Sequence, residues 1–296
     1  MRLLVLGGSG QLGSELQALA LPADVELIAP PRSAVDLGDA ATVARLVAAG
    51  PWSAVIDAAA YTHVDRAERE EQQAFAVNAE AAGRLAQETG DRGIPLIYVS
   101  TDYVFNGRKG APYVETDATS PLNAYGRSKL AGERRVAAGN PRHVILRTAW
   151  LYSPYGGNFV RTMLRLAEER ERLTVVADQH GCPTAARDLA NACLAVALRC
   201  AAEPERTPYG LYHFAGGDAA TWFEFAQAII AEAAGTLRRV PQVVPISSAD
   251  YGSPTPRPAD SRLDCTAIAQ AFALTPRPWR QALAETVARL LAPKSS

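Results

Sequence analysis

The stretch that decides the fold is Leu3-Leu4-Val5-Leu6-Gly7-Gly8-Ser9-Gly10-Gln11-Leu12-Gly13, close to the start of this 296-residue chain. Its four apolar residues predict a buried strand, and Leu12, Leu16 and Leu19 predict the apolar side of a helix. Between strand and helix, Gly7, Gly10 and Gly13 are spaced G-x-x-G-x-x-G. Such glycines permit a tight turn and let the backbone approach a pyrophosphate, which a helix N-terminus stabilises. The turn therefore predicts a dinucleotide site, although an ordinary strand-to-helix turn has the same form.

Beyond the glycine turn, the first half of the chain alternates short apolar runs with helical patterns. The runs predict five strands, at residues 3–6, 25–29, 54–56, 94–99 and 144–146. Uninterrupted apolar strands separated by helices are typical of a parallel sheet that is covered on both faces. The predicted fold class is therefore α/β, with a doubly wound parallel sheet whose ligands bind at the carboxyl ends of the strands.

The second half of the chain is less regular and contains more Pro and Gly. Its patterns predict helices at 159–169, 188–201, 223–234 and near 281–291, and strands at 173–176 and 211–214. We interpret it as a smaller C-terminal lobe that is interleaved with the end of the sheet. The predicted dinucleotide-binding domain comprises residues 1–149 and about 173–217, and the predicted substrate-binding lobe comprises about 150–172 and 218–296.

Composition excludes several classes of function. Thirty basic against 31 acidic residues give a net charge of −1, which argues against nucleic acid or an anionic membrane as the main partner. The four cysteines have no C-x-x-C spacing, and the four histidines form no metal motif, so no metal is predicted. Isolated thiols, a first apolar run too short for a signal peptide, and no apolar stretch long enough to span a bilayer predict a soluble cytoplasmic protein.

The second predicted strand lacks the acidic residue that is expected about 20 residues after the glycine turn. Residues 29–33 (APPRS) occupy that place, and Arg32 could meet an adenosine 2′-phosphate. This favours NADP over NAD, although Arg32 could equally be a solvated loop charge. A little further along, Asp36 lies where it could reach the adenine end of the cofactor.

The pattern most specific for chemistry is Tyr125-Gly126-Arg127-Ser128-Lys129, a Y-x-x-x-K at the start of a predicted helix. The i, i+4 spacing places both side chains on one face, and a strand ends upstream at Thr101. A phenol with a pKa near 10 is a poor acid–base catalyst at pH 7, and a neighbouring ammonium would lower that pKa. We expect Thr101, Tyr125 and Lys129 to form a proton-transfer site beside a nicotinamide. A single Y-x-x-x-K also occurs by chance, so the prediction rests on its combination with the glycine turn and Thr101.

These motifs resemble those of the extended short-chain dehydrogenase/reductase family, over most of the chain. Four fragments are similar in particular to the dTDP-4-dehydrorhamnose reductases, namely 100–105 (STDYVF), 147–152 (RTAWLY), 178–184 (DQHGCPT) and 257–264 (RPADSRLD). The resemblance implies a Rossmann fold and NAD(P)H-dependent reduction of the 4-keto group of dTDP-4-dehydro-L-rhamnose to dTDP-L-rhamnose. NADPH is the expected cofactor, and NADH is an alternative to it. The expected partner is a nucleotide sugar.

The resemblance also implies roles for single residues. Those assigned to the cofactor are Gly10, Gln11 and Leu12 at the pyrophosphate, Asp36 and Leu37 at the adenine, Ala58, Ala59 and Ala60 at the ribose, and Lys129 at the nicotinamide ribose. Those assigned to the substrate are Thr101 at the keto oxygen, Tyr125 as proton donor, Asp102 at a sugar hydroxyl, Trp150 at the sugar ring, and Gln179, Thr184 and Arg257 at the nucleotide diphosphate.

Several of these residues have structural alternatives. Trp150 could be a core residue and Asp102 an Asx-turn residue, whereas Gln179, Thr184 and Arg257 could be a loop scaffold, a helix cap and a surface charge.

Alternatives to the reductase activity remain open as well. A nucleotide-sugar epimerase or dehydratase has the same fold, although Tyr103 stands where a dehydratase of this family carries glutamate. The other alternative is a non-catalytic NADP-binding regulator similar to the regulatory subunit of methionine adenosyltransferase. The sequence does not determine the oligomeric state and is compatible with a homodimer.

Overall fold

The computed structural model describes residues 1–31, 33–35 and 38–292. Three predicted cofactor contacts, Arg32, Asp36 and Leu37, lie outside the described residues.

The first half of the chain alternates strands and helices as predicted. Its strands are β1 Arg2–Leu6, β2 Glu26–Ile28, β3 Ala54–Asp57, β4 Leu96–Thr101 and β5 His143–Thr148. Its helices are α1 Gln11–Gln17, α2 Ala40–Ala48, α3 Val64–Ala67, α4 Glu71–Phe75, α5 Ala82–Gly90 and α6 Ala124–Gly139. A π-helix, Ala76–Ala81, joins α4 to α5, and a 3₁₀ turn, Asp102–Val104, follows β4.

The second half has shorter strands. They are β6 Leu151–Tyr152, β7 Arg172–Val176, β8 His180–Gly181, β9 Thr184–Ala185, β10 Gly210–His213, β11 Ala220–Thr221 and β12 Gln242–Ile246. The helices are α7 Phe159–Glu169, α8 Ala186–Ala202, α9 Trp222–Ala233, α10 Ser248–Tyr251, α11 Thr266–Phe272 and α12 Trp279–Leu291. Thr221 and Glu224 form a capping box at the start of α9, which satisfies backbone N–H groups that the first turn of a helix leaves free.

Six parallel strands form the central sheet, in the order β10-β5-β4-β3-β1-β2. Leu3 and Leu4, successive residues of β1, are both fully buried because helices cover both faces. Leu16 of α1 and Leu189 of α8 belong to the core on one face, and Val136 of α6 to the core on the other. The predicted doubly wound α/β fold is confirmed. The chain turns in opposite directions from β1 and from β3, so a crevice opens at their carboxyl ends.

A second core lies outside this sheet, where α7, α9 and α12 pack around Phe225 and Trp279. The predicted boundary placed residues 173–176 in the dinucleotide-binding domain, whereas β7 pairs with β12 and its Leu173 and Val175 belong to this second core. Leu173 and Val175 alternate with exposed Arg172 and Thr174. This pattern is typical of a strand that is covered on one face, unlike the uninterrupted burial of β1.

Candidate active site

The glycine turn between β1 and α1 forms the floor of the crevice. Gly7 has a φ of +80°, and a Cβ there would lie 2.7 Å from the backbone of Ala58, just after β3. A Cβ on Gly13 would lie 2.3 Å from the carbonyl oxygen of Gly7. Only glycine permits this close approach of β1, α1 and the residues after β3.

The start of α1 suits a phosphate-bearing ligand. No side chain caps the helix, because its N-cap residue is Gly10. Its first N–H groups therefore have no side-chain acceptor and point, with the positive end of the helix dipole, out of the turn. Gly10 is exposed and Gln11 partly exposed, whereas the Leu12 side chain lies in the core. Ala58, Ala59 and Ala60 have some exposure on the opposite side of the crevice. The turn thus fits the pyrophosphate of a dinucleotide.

The catalytic edge, by which we mean Thr101, Asp102, Tyr125 and Lys129, lies at the carboxyl end of β4. Thr101 is the last residue of β4. The Asn123 side chain accepts a hydrogen bond from the N–H of Gly126, at 2.9 Å, and so starts α6 immediately before Tyr125. The Thr101 hydroxyl lies close enough to the Tyr125 phenol to oppose the rise of its pKa. The structure therefore brings together the strand-end hydroxyl and the phenol that the sequence predicts to act together.

Lys129 lies one helical turn beyond Tyr125 but is directed at the sheet. Its Nζ donates a hydrogen bond to the carbonyl oxygen of Val99, at 2.6 Å, and lies 3.9 Å from the ring centre of Tyr98. Lys129 is not among the groups that shift the pKa of Tyr125 here, so its expected effect on the phenol stays a prediction. Removal from water raises the pKa of Tyr125 to about 12, opposed by the nearby Thr101 hydroxyl. The phenol is therefore protonated throughout the neutral range.

Asp102 is a buried carboxylate with one oxygen available. The side chain is 2% exposed, and its Oδ1 accepts a hydrogen bond from the Thr101 hydroxyl at 3.0 Å. Its Oδ2 is buried without a hydrogen-bond partner among the described residues. Burial raises the pKa of Asp102 to about 6, opposed by the nearby hydroxyls of Ser261 and Thr101, so the group is an anion at neutral pH. A buried acceptor without a donor is costly, and a ligand hydroxyl would supply one.

Trp150 follows β5 with a φ of +46°, unusual for a bulky residue. Its ring stacks on Trp222 at the start of α9, with centroids 3.5 Å apart. The backbone of Gly181 is so close that a Cβ there would lie 2.3 Å from the indole. Packing within the protein thus accounts for much of the Trp150 surface, and the indole is only partly exposed.

Two of the predicted diphosphate residues share a cavity, which we call the nucleotide cavity, of about 390 Å³. Gln179 donates a hydrogen bond to the hydroxyl of Ser248 at 2.9 Å. Arg257 Nη2 lies 3.2 Å from both carboxylate oxygens of Asp65. The Nε of Arg257 is buried without a partner among the described residues. The cavity therefore holds one amide and one guanidinium with donor capacity left.

Thr184 does not face this cavity. It is fully buried, and its hydroxyl donates to the carbonyl oxygen of Cys182 and accepts from the N–H of Gly216, each at 3.0 Å. It is not a helix cap either, because Ala185 is the N-cap residue of α8. The geometry does not support a direct contact between Thr184 and a nucleotide.

The family model described as the RmlD substrate binding domain matches residues 1–292. A protein from Sinorhizobium fredii named dTDP-4-dehydrorhamnose reductase is 43% identical over 291 residues, which is 98% of each chain. The chain belongs to the dTDP-4-dehydrorhamnose reductase family. Two solved structures agree with this. The reductase from Clostridium acetobutylicum has a TM-score of 0.91 and 33% identity, covering 99% of this chain and 100% of its own. The one from Bacillus anthracis, solved in complex with NADP, has a TM-score of 0.90 and 34% identity, covering 97% and 99%.

A buried polar network lies below the catalytic edge in this member of the dTDP-4-dehydrorhamnose reductase family. It was not predicted from the sequence. Ser100 donates to Glu133 Oε1 at 2.5 Å. Arg147 donates to the same carboxylate through Nε at 2.9 Å and Nη2 at 2.7 Å. The network joins α6 to β4 and β5. Its signal in the sequence is an arginine within an otherwise apolar strand, which requires a buried partner.

Asn78 connects the crevice to α6. Its side chain exchanges hydrogen bonds with the backbone of Tyr61, at 2.8 and 3.0 Å, and donates to the Ser128 hydroxyl at 2.9 Å. Ser128 in turn donates to the carbonyl oxygen of Tyr125 at 2.8 Å. Asn78 lies in the π-helix, a feature that often marks functional regions of helices. No local pattern in the sequence predicts this role for Asn78.

Over residues 1–31, 33–35 and 38–292, no cluster of three or more His, Cys, Asp or Glu side chains could hold a metal ion. No helix in the same part of the chain is long and apolar enough to cross a membrane.

Proposed function

We propose that the protein reduces the 4-keto group of dTDP-4-dehydro-L-rhamnose to dTDP-L-rhamnose with NADPH, in nucleotide-sugar biosynthesis. The observation that carries this proposal is the catalytic edge, where a strand-end hydroxyl and a protonated phenol lie at the same carboxyl edge of the sheet as the glycine turn. The family membership supports the choice of substrate, because relatives that carry this name match almost the whole chain.

The cofactor would lie across the carboxyl ends of β1 and β3. The N–H groups at the start of α1, with Gln11, would hold the pyrophosphate. Ala58, Ala59 and Ala60 would contact a ribose, and Lys129 would contact the nicotinamide ribose. NADPH, when bound, supplies the hydride for C4 of the sugar. The NADP complex of the Bacillus anthracis relative supports NADP as the cofactor class, and NADH remains an alternative to test.

The protein supplies the proton. The Thr101 hydroxyl would turn its one proton from Asp102 Oδ1 to the keto oxygen. Tyr125 would donate its phenolic proton to that oxygen as the hydride reaches the carbon, so that ketone, hydride and proton together give the alcohol. Because the pKa of Tyr125 is about 12, the donor is already protonated at neutral pH. Lys129 would act beside the cofactor.

Substrate binding would use both sides of the crevice. The available oxygen of Asp102 would accept a hydrogen bond from a sugar hydroxyl, and the exposed part of Trp150 would contact the sugar ring. Gln179 and Arg257 would bind the nucleotide diphosphate from the nucleotide cavity. We assign no contact to Thr184.

The experiment is an assay of NADPH consumption with a panel of 4-keto nucleotide sugars. We expect the loss of NADPH absorbance with dTDP-4-dehydro-L-rhamnose, together with dTDP-L-rhamnose as the product. An epimerase or dehydratase would convert its sugar without net NADPH consumption, and a regulator would convert nothing. Absence of NADPH consumption with this substrate would overturn the proposal. Parallel assays with NADH measure the cofactor preference.

We also propose that the protein is cytoplasmic and that it forms a homodimer. The four free cysteines support a reducing compartment. Sedimentation velocity of the purified protein tests the homodimer.

A further inference from the structure

Asp57 is a buried carboxylate that the proposed reaction does not use. It is the last residue of β3 and is 4% exposed. Its Oδ1 accepts a hydrogen bond from the N–H of Ala59 at 3.1 Å. Of the cations among the described residues, Lys129 is the one whose charge acts on it. A buried carboxylate needs a compensating charge, so its relation to Lys129 requires an explanation.

The sheet register places Asp57 on the same side as Lys129. Asp57 and Tyr98 are direct partners across β3 and β4, and register partners in a parallel pair point to the same face. The Tyr98 side chain points to the face that α6 covers, since it packs with Val136 and lies under Lys129 Nζ at 3.9 Å. Asp57, Tyr98 and Lys129 therefore gather on one face, at the carboxyl ends of the strands.

Other polar groups around Lys129 do not balance its charge. From β4 it meets the neutral phenol of Tyr98 and the carbonyl oxygen of Val99. From α6 itself it meets Glu133, whose two oxygens are already bound by Arg147. Tyr125 on the same helix is a neutral phenol. Asp57 is thus the carboxylate near Lys129 that has no cation of its own.

We propose that Asp57 is the positioning residue of Lys129, and that its buried carboxylate keeps the amine protonated where the nicotinamide ribose binds. The role of Lys129 at the ribose rests on the proposed function, but the pairing with Asp57 does not. The chemistry is that of two buried opposite charges on one face of the sheet that do not form a direct salt bridge, and the Lys129 side chain is 1% exposed. In such surroundings an amine loses its proton easily unless an anion stands close by.

The pKa shifts agree in sign with this geometry. Burial lowers the pKa of Lys129 to about 8, and the charges of Asp57 and Glu133 oppose the fall. Burial raises the pKa of Asp57 to about 6, and Lys129 opposes the rise. Above about pH 6, Asp57 is charged and holds the proton on Lys129. Loss of that charge moves the deprotonation of Lys129 to lower pH.

The sequence makes a direct titration feasible, because the chain contains only three lysines, Lys109, Lys129 and Lys294. The full-length protein, with ¹³C in the lysine side chains, is titrated by NMR with and without NADP⁺, and Lys129→Arg assigns the signal. In Asp57→Asn the midpoint of Lys129 falls by at least about one pH unit. The matched control is Glu71→Gln, which removes an exposed carboxylate paired with Arg127 of α6, the helix that carries Lys129. We expect the Lys129 midpoint to stay unchanged in this control. An unchanged midpoint in Asp57→Asn overturns the proposal.

A pH profile distinguishes positioning from a general structural role. In Asp57→Asn the alkaline limb of kcat moves to lower pH by the same amount as the Lys129 midpoint. Below about pH 6 the variant and the wild type converge, because Asp57 is then protonated in the wild type as well. A loss of kcat by the same factor at every pH, with an unmoved Lys129 midpoint, indicates a structural role and contradicts the proposal.

The wild-type protein provides a test that needs no folded variant. Coupled groups titrate together, so the Lys129 signal of the wild type shows a second inflection near pH 6, where Asp57 titrates. A single step would overturn the proposal. The NMR titration needs no turnover, so it tests the pairing of Asp57 with Lys129 even if the protein consumes no NADPH. A failure of this proposal is therefore distinguishable from a failure of the proposed function.

Discussion

The catalytic edge and the nucleotide cavity hold their functional side chains in different ways. At the catalytic edge, Thr101, Asp102 and Lys129 are almost fully buried at the end of β4 and on α6. In the nucleotide cavity, Gln179 and Arg257 lie in loops and remain partly exposed. The catalytic edge rests on the buried network of Ser100, Glu133 and Arg147, whereas the nucleotide cavity depends on single contacts with Ser248 and Asp65.

This difference teaches where catalysis and affinity come from. Groups that are buried and hydrogen-bonded keep their geometry at no further cost when the reaction begins. Groups on partly exposed loops are screened by solvent and adjust to the ligand. We therefore expect substitutions at the catalytic edge to reduce kcat or stability strongly, and substitutions in the nucleotide cavity to change KM modestly.

The largest effect is expected for Tyr125→Phe. This change removes the proton donor but keeps the ring and its edge contact with Tyr103. We expect kcat to fall roughly 10²–10⁴-fold, which is the usual contribution of a general acid. NADPH binding, measured by fluorescence titration, should remain close to that of the wild type. A near-normal kcat would eliminate the assigned role.

The second-largest effect is expected on the free energy of unfolding, when the buried network of Ser100, Glu133 and Arg147 below the catalytic edge is broken. Glu133→Ala leaves the guanidinium of Arg147, which is 4% exposed, without its anion. We expect the free energy of unfolding to fall by about 3–5 kcal/mol, as for other broken buried pairs. The control is Glu169→Ala, which removes an exposed i, i+4 partner of Arg165 on α7 and should cost no more than about 0.5 kcal/mol. Urea denaturation measures both, and equal losses would remove the contrast between the two regions.

A smaller effect is expected for Asp102→Asn, which removes the charge of the buried acceptor. A hydrogen bond to a charged group is worth about 1.5–3 kcal/mol, so kcat/KM for the nucleotide sugar should fall about 10–100-fold. Because the pKa of Asp102 is about 6, kcat/KM of the wild type should decline as the pH falls below that value. The variant should lack this acidic limb, and its persistence there would show that another group causes it.

The smallest effect is expected in the nucleotide cavity. Arg257→Gln should raise KM for the nucleotide sugar about 2- to 10-fold with little change in kcat, because the side chain is partly exposed and already shared with Asp65. The matched control is Arg262→Gln, which removes a similarly exposed guanidinium paired with Asp260. Steady-state kinetics with both variants test the comparison. A large fall in kcat for Arg257→Gln would show that the nucleotide cavity contributes to catalysis as well and would contradict the comparison.

Features of short range were predictable from the sequence. The five strands of the first half and the glycine turn are in the structure close to where the patterns place them. Each follows from neighbours within one strand or one helical turn. The positions of Thr101, Tyr125 and Lys129 were predictable for the same reason, since a strand end and an i, i+4 spacing define them.

What the sequence by itself determined is the α/β order, the parallel sheet and the chemistry-bearing residues at its carboxyl edge, because apolar periodicity is a local property. Only the tertiary structure decided that Lys129 Nζ turns to Val99 and Tyr98, that β7 pairs with β12, and that the Thr184 hydroxyl is bound to Cys182 and Gly216. It also placed Asp57 on the same face as Lys129. Each of these depends on burial and on contacts between segments far apart in the chain, and no local pattern of residues contains them.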